Sequence, residues 1–361
     1  LPPALANPAF FADEGTAQPF GMTVGPGLPP AGHFASTTAR TMDILLIGLD
    51  SRLGHRRGRA DALHLLTLDF DAPRFLITSI PRGTHSPLGY RNAASNIIAN
   101  VRAARGRTEL QRRIARLCGR DSVPYYVEVG FSDAYGILEL IGSGDPAAAL
   151  QALRRRKGYQ YGDHDRCYNQ GCFVRTAMLR MLPLLEGATG DLLLRAGLEL
   201  MRTNLTLEQC RGIVYLLNDA GVPDSPELVD VTLRSPFRHR IERRGPDPSI
   251  TFRTTEPARV QAGAPSDRGG EVPGRAETRI RRALSEAARR VDDDRAVRTL
   301  LWTMFSQHAW MQMPRGAARR ELRDSLATVL GAACMRLGDS TGRAVIDRTV
   351  RADELLFPAR P

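Results

Sequence analysis

Along the first part of the chain, apolar residues come in short, nearly continuous runs. Asp43-Ile44-Leu45-Leu46-Ile47-Gly48 has the form of a buried central strand closed by glycine. Residues 62–70 and 74–80 read as two further strands, and residues 123–129, β-branched and aromatic, as another. Between them the period changes. Residues 92–119 read as helices, and in their later part Leu110, Ile114 and Leu117 recur at helical spacing with arginines on the other face. Helices are expected over about 132–141, 147–153 and most of 172–217, followed by a closing strand over 228–233. Strands alternating with helices predict an α/β fold: a layered α/β/α domain with a central mixed β-sheet flanked by helices.

The pattern also divides the chain. Residues 1–41 are rich in Pro, Gly, Ala and Thr with little periodicity and read as an extended leader or linker. A signal peptide or membrane anchor upstream of Leu1 is compatible with that reading. The folded domain is expected over 42–235. Residues 236–275, rich in Pro, Gly and Arg, read as a linker with a short strand near 250–253. Amphipathic helices over 276–291, 296–311 and 317–337 then predict a C-terminal helical appendage over 276–361, with Leu322, Leu326, Val329, Leu330, Ala333 and Leu337 marking one apolar face. No apolar run reaches the roughly 18 residues that a membrane span requires.

Candidate chemistry gathers at the ends of these elements, where a sheet presents its working edge. Asp50, Arg52, Arg59 and Asp61 flank the junction of the first two strands, and Arg82 follows the third. Arg154, Arg156, Asp163, Arg166 and Gln170 form a third block spanning a loop and a helix start. Several guanidinium forks and two carboxylates suit a pyrophosphate and a divalent metal, since arginine pairs phosphate oxygens in bidentate fashion and hard Mg²⁺ prefers oxygen ligands. The bland counterpart is a set of structural ion pairs, Arg82 with Asp61 for instance, and for any isolated pair it is favoured. Net charge adds little. The chain of 361 residues carries +11, which points to an anionic partner, but nearly all of it is arginine, as GC-rich coding alone would produce. Nucleic acid is disfavoured because the arginines are not interleaved with aromatics, which make up only 6% of residues.

Other residues read as structural. His33, His55, His64, His85 and His164 lack metal-ligand spacing, and His64 is expected to pack or cap within a strand. Ser51 and Ser79 have no recognisable His/Asp partner in a nucleophile elbow. Asp292-Asp293-Asp294 reads as a solvated helix start. Among five cysteines, Cys167 and Cys172 bridge only if a loop joins them, since a helix points them to different sides.

Six or so of these motifs, in order, resemble the LytR-CpsA-Psr family of cell-wall glycopolymer transferases. The resemblance spans residues 44–233, about half the chain. Ile44-Leu45-Leu46-Ile47-Gly48-Leu49-Asp50-Ser51-Arg52 is similar to the family's opening strand, Arg59-Ala60-Asp61 to its Arg-Ser-Asp, and Leu76-Ile77-Thr78-Ser79-Ile80-Pro81-Arg82 to its Ser-Ile-Pro-Arg-Asp strand end. Residues 123–131 resemble its Pro-x-x-Tyr-x-x-Val-x-Phe strand. Arg154-Arg155-Arg156-Lys157 and Gly162-Asp163-His164-Asp165-Arg166 resemble its later basic elements, and Thr203-Asn204-Leu205-Thr206 its late helix start. Three departures stand out. Gly83 occupies the position of a carboxylate, Asn169 that of an arginine, and the stretch between Leu140 and Arg154 is short.

The resemblance implies a Mg²⁺-dependent phosphotransferase that moves a glycopolymer from a polyprenyl-pyrophosphate carrier to a peptidoglycan hydroxyl, on the outer face of the cell envelope. The membrane surface would be met through the lipid or an N-terminal anchor. It implies Asp50 and Asp61 as metal ligands, one also taking the acceptor's proton. Because Asp50 follows one buried strand and Asp61 opens the next, the two are expected at metal-sharing distance on the C-terminal ends of neighbouring strands. Arg59, Arg82, Arg154, Arg156 and Arg166 would grip phosphate, with Arg52 and Asp163 nearby and Gln170 as a hydrogen-bond partner; Arg82 joins Asp50 and Asp61 in the catalytic set. The leucines between Leu182 and Met201 are expected to wall an elongated prenyl slot opening at the arginines, against the plainer reading of an ordinary core. A rival reading is a weak or inactive relative that binds polyprenyl phosphates or wall polymer, or hydrolyses polyprenyl pyrophosphate.

Overall fold

The structure, a computed structural model of the chain, describes residues 41–50, 53, 58–71, 74–140, 145–154, 163–234, 239–244, 247–252 and 273–358. Residues 1–40, which make up all but the end of the expected leader, lie outside these, as do Ser51, Arg52, Arg156 and most of the expected linker.

The strands are β1 (Thr41–Asp50), β2 (Arg59–Asp69), β3 (Arg74–Ser79), β4 (Tyr125–Val129), β5 (Arg202–Thr203) and β6 (Val229–Leu233). They form one mixed sheet in the order β5-β4-β1-β2-β3-β6. β1 pairs in parallel with β4 and β3 with β6, whereas β1–β2, β2–β3 and β4–β5 are antiparallel. The C-terminal ends of β1, β3, β4 and β6 therefore share one edge with the N-terminal ends of β2 and β5.

Side chains alternate between the faces, and both faces are covered, which is why β1 reads as a continuous apolar run. Leu45, Ile47, Leu63, Leu65 and Tyr126 pack against Ile98, Val101, Leu110 and Ile114 of α1 (Ile98–Arg105) and α2 (Arg107–Cys118). On the other face Met42, Ile44, Leu68, Phe75 and Ile77 meet Tyr168 of α5 (Asp163–Met181) and Val214 and Leu217 of α7 (Leu207–Asp219). The layered mixed-sheet architecture is thus as expected. Between these helices lie α3 (Phe131–Leu140), α4 (Pro146–Arg154) and α6 (Gly187–Leu200). Thr206 opens α7 with a complete capping box, accepting from the Gln209 backbone N–H while the Gln209 side chain accepts from the Thr206 N–H. Thr206→Ala is expected to cost about 1 kcal/mol in chemical unfolding.

Beyond the sheet, α8 (Pro273–Ala288), α9 (Asp294–Phe305), α10 (Ala317–Arg336) and α11 (Ser340–Leu356) assemble around Phe305, Trp310, Leu322, Leu326, Leu330 and Ile346. The sequence pattern misses α11, whose buried stripe of Ile346, Thr349, Ala352, Asp353 and Leu356 includes a threonine and an aspartate. α9 also stops six residues before the expected end, and Asp293 of the acidic run is its N-cap. Within residues 236–275, where a linker is expected, β7 (His239–Arg244) and β8 (Asp247–Phe252) pair as an antiparallel hairpin.

The core of the C-terminal helices also contains Ala196 and Leu200 of α6, with Leu192 and Leu193 packed against it, while Leu182, Leu185 and Leu194 join the sheet-side core. This corrects the reading of the leucine-rich stretch. α6 is apolar on two sides because it lies between two cores, so its leucines need no prenyl slot to account for them. Cys167 and Cys172 both lie on α5 and are unbridged. No helix among the described residues is long and apolar enough to cross a membrane.

Candidate functional site

Gly48 and Asp61 create the site's first irregularity. Gly48 pairs with Ala62 and Leu49 with Ala60, so Asp61 is the extra residue of a bulge. A Cβ on Gly48 would lie 2.8 Å from the Ala62 Cβ, so the strands approach this closely only with glycine there. Bulges re-aim side chains at sheet edges. Asp50 ends β1 and Asp61 lies near the start of β2, so the two share an edge because the strands are antiparallel. The expectation of two strand C-terminal ends is corrected in that respect.

Arg82, three residues past β3, joins two carboxylates. Its Nη1 donates to Asp61 Oδ1 at 2.8 Å, and its Nε lies 3.4 Å from Asp163 Oδ1. Asp163 opens α5 and also accepts from Arg166 Nη2, one turn on, at 2.6 Å. The result is an ionic chain Asp61–Arg82–Asp163–Arg166 of largely buried side chains, most exposed at Asp163 and least at Arg166, which is 3% exposed. A second group surrounds Asp50. Arg154 Nη2 lies 3.4 Å away and Arg59 Nη2 3.7 Å away, and the Arg154 guanidinium rests 4.8 Å from the Phe131 ring centroid. Gln170 donates to the Leu153 carbonyl at 3.0 Å, tying α5 to the end of α4 that carries Arg154.

The described members of the predicted set, Asp50, Arg59, Asp61, Arg82, Arg154, Asp163, Arg166 and Gln170, are thus gathered at the sheet's working edge; Arg52 and Arg156 lie outside the described residues. Among the described residues, no group of three or more His, Cys, Asp or Glu side chains is arranged to hold a metal ion.

Beneath the chain lies a pair that motif reading overlooked. His64 on β2 and Ser79 on β3 are register partners, with Nδ1 and Oγ 3.0 Å apart and both side chains buried. The pair is no nucleophile elbow, and His64 packs within its strand as expected, with Ser79 as a partner that the motif reading did not supply. Ser79 is fully buried, so the pair is no exposed nucleophile. Gly171 of α5 lies against it, and a Cβ there would clash with the Ser79 hydroxyl. Burial first, and the nearby Arg166 charge second, push the His64 pKa down to about 4. The only sequence signal for this pair was a lone histidine in an apolar strand.

With this geometry in view, a protein-family model described as the LytR_cpsA_psr family matches residues 31–144. No curated protein matches the chain. Among solved structures, gbs0355 of Streptococcus agalactiae is similar at 18% identity, covering 54% of this chain and 76% of its own, with a TM-score of 0.43. TagV of B. subtilis is similar at 18% identity, covering 60% of this chain and 91% of its own, with a TM-score of 0.42. TagT of B. subtilis is similar at 14% identity, covering 66% of this chain and 91% of its own, with a TM-score of 0.41. The match to the LytR_cpsA_psr family spans residues 31–144, under half of the chain, and includes Asp50, Asp61 and Arg82.

Proposed function

We propose that this sheet edge binds the pyrophosphate of a polyprenyl-linked glycan and passes the glycan phosphate to a hydroxyl of the cell wall, on the outer face of the envelope. The observation that carries the reading is the joined array Asp61–Arg82–Asp163–Arg166, beside Asp50, Arg59 and Arg154, on a family-matched edge. Four arginines against three carboxylates leave an excess of positive charge for a phosphate ligand.

The acceptor oxygen attacks the phosphorus that bears the glycan. That phosphorus loses its bond to the bridging oxygen, and polyprenyl monophosphate departs. The acceptor's proton passes to a carboxylate, Asp50 or Asp61. Arg82, Arg154, Arg59 and Arg166 stabilise charge on the transferring and leaving phosphates, with no covalent step on the protein. Asp50 and Asp61 supply hard oxygen donors of the kind Mg²⁺ takes together with phosphate oxygens. A bound Mg²⁺ would neutralise phosphate charge there. Peptidoglycan is the proposed acceptor.

The test combines the protein with a polyprenyl-pyrophosphate-linked oligosaccharide and peptidoglycan fragments. Release of polyprenyl monophosphate should match labelled sugar appearing on the acceptor, and chelation should stop both. Release without transfer would instead identify a hydrolase, and binding without release a carrier-binding relative. Arg82→Ala is expected to weaken diphosphate binding by about 1.5–3 kcal/mol, roughly ten- to a hundredfold. Unchanged affinity would leave the ionic chain a structural feature.

A further inference from the structure

His308 is the one described non-glycine residue with positive φ, at 47°. Such a conformation costs a non-glycine side chain energy and persists where surrounding contacts hold it. Those contacts reach across the molecule to the first turn of α3. His308 Nδ1 lies 2.6 Å from Asp133 Oδ1, with both side chains largely buried. A carboxylate only accepts, so the ring N–H donates. The other Asp133 oxygen accepts the Gly130 N–H at 2.7 Å, which caps α3. One carboxylate thus joins the C-terminal helices to the start of α3. Gln312 Nε2 adds a buried bond to Ser132 Oγ at 3.0 Å, and Arg319 grips Glu139 further along α3.

The first turn of α3 carries Phe131, whose ring supports the Arg154 guanidinium beside Asp50. Phe131, Tyr135 and Leu138 of α3 share a small core with Leu150 of α4, the helix that ends at Arg154. We propose that His308 is a positioning residue for the anion site: through Asp133 it sets the start of α3, and with it the Phe131 platform that places Arg154 beside Asp50. The C-terminal helices are then part of the site's support. The affinity arm of the test rests on the proposed reading of Arg154 as a phosphate ligand; the exchange arm does not.

Three variants of the full chain separate this from general stabilisation. His308→Asn keeps a donor and tolerates positive φ, His308→Gly keeps the backbone and loses the donor, and Arg154→Ala removes the supported group. With geranylgeranyl diphosphate as probe, His308→Gly should lower affinity about five- to twentyfold, and His308→Asn should recover most of it. In the Arg154→Ala background, His308→Gly should change affinity by less than about twofold, the mark of a shared route. Backbone hydrogen exchange of His308→Gly should quicken in residues 131–140 and 146–154. Additive losses in the double variant, or faster exchange confined to 294–312, would overturn the proposal. A wild-type chain that binds no diphosphate yet shows the coupled exchange would sink the functional reading while supporting the mechanical link.

Discussion

Asp353→Ala is expected to cost about 3–5 kcal/mol of folding free energy. Asp353 is 3% exposed and serves two neighbours directly: Trp310 Nε1 donates to Oδ1 at 2.9 Å and Arg323 Nη1 to Oδ2 at 2.9 Å. Arg319 Nη2 stands 3.9 Å away. Both arginines are 2% exposed. Removing the carboxylate leaves two buried guanidinium groups sharing the remaining acids, of which Asp324 and Glu354 stand largely in water. An uncompensated buried charge is the expensive case, whereas a solvated pair is worth little. Glu277→Ala, which breaks the exposed pair with Arg281, should therefore leave the unfolding midpoint nearly unchanged. Denaturant unfolding of both variants checks the contrast. An Asp353→Ala protein within about 1 kcal/mol of wild type would mean that solvent reaches the cluster.

The same cluster shows why the C-terminal helices were only partly legible. Hydrophobic period found α8, α9 and α10, because Leu322, Leu326 and Leu330 recur every four residues and are buried as expected. α11 escaped because its inner face carries Asp353, and a buried acid reads from sequence as a surface residue. The leucines of α6 misled for the converse reason. Period and density report how much apolar surface a helix has, and leave open whether one partner or two will cover it. β1 was legible as a continuous apolar run and β6 as an alternation, with Val229, Val231 and Leu233 buried and Asp230 and Thr232 between them.

At the site, residue types and order were visible while the pairing was not. Asp50, Asp61, Arg82, Asp163 and Arg166 each stand in a short local motif. That Arg82 would join Asp61 to Asp163, 102 positions apart in numbering, follows from the strand order and the start of α5. The sense of β2 decided where Asp61 lies, and a bulge of one residue decided how it is aimed. His308 was beyond reach. Its role depends on a backbone dihedral and on Asp133 in a distant helix, neither of which leaves a periodic trace.

His64 gives the second large expected effect, a loss of stability in mild acid. Its pKa in the folded chain is about 4 against an ordinary 6.5, through burial first and the Arg166 charge second. Between those values the unfolded chain binds a proton that the folded chain refuses, so stability rises with pH across this window and falls on acidification. Above pH 6.5 His64 is neutral in both states and contributes no slope. From pH 6.5 to 4 the loss amounts to about 3 kcal/mol, and below 4 it is complete. Other groups act in the same experiment. Burial raises the pKa of Asp43 and Glu199, which favours the folded state as pH falls. Hydrogen bonds from Arg211, Arg336 and the Gly342 backbone lower those of Asp191, Asp294 and Asp339, which removes stability in stronger acid. A comparison with His64→Met cancels these shared terms. The variant strands the Ser79 hydroxyl and so starts from lower stability at pH 7, but that cost does not depend on pH. Unfolding free energies at pH 7 and 4.5 should therefore show the wild type losing about 2–3 kcal/mol more than the variant. Parallel losses would mean that His64 accepts its proton in the folded state, with solvent or a rearranged Arg166 accommodating the charge.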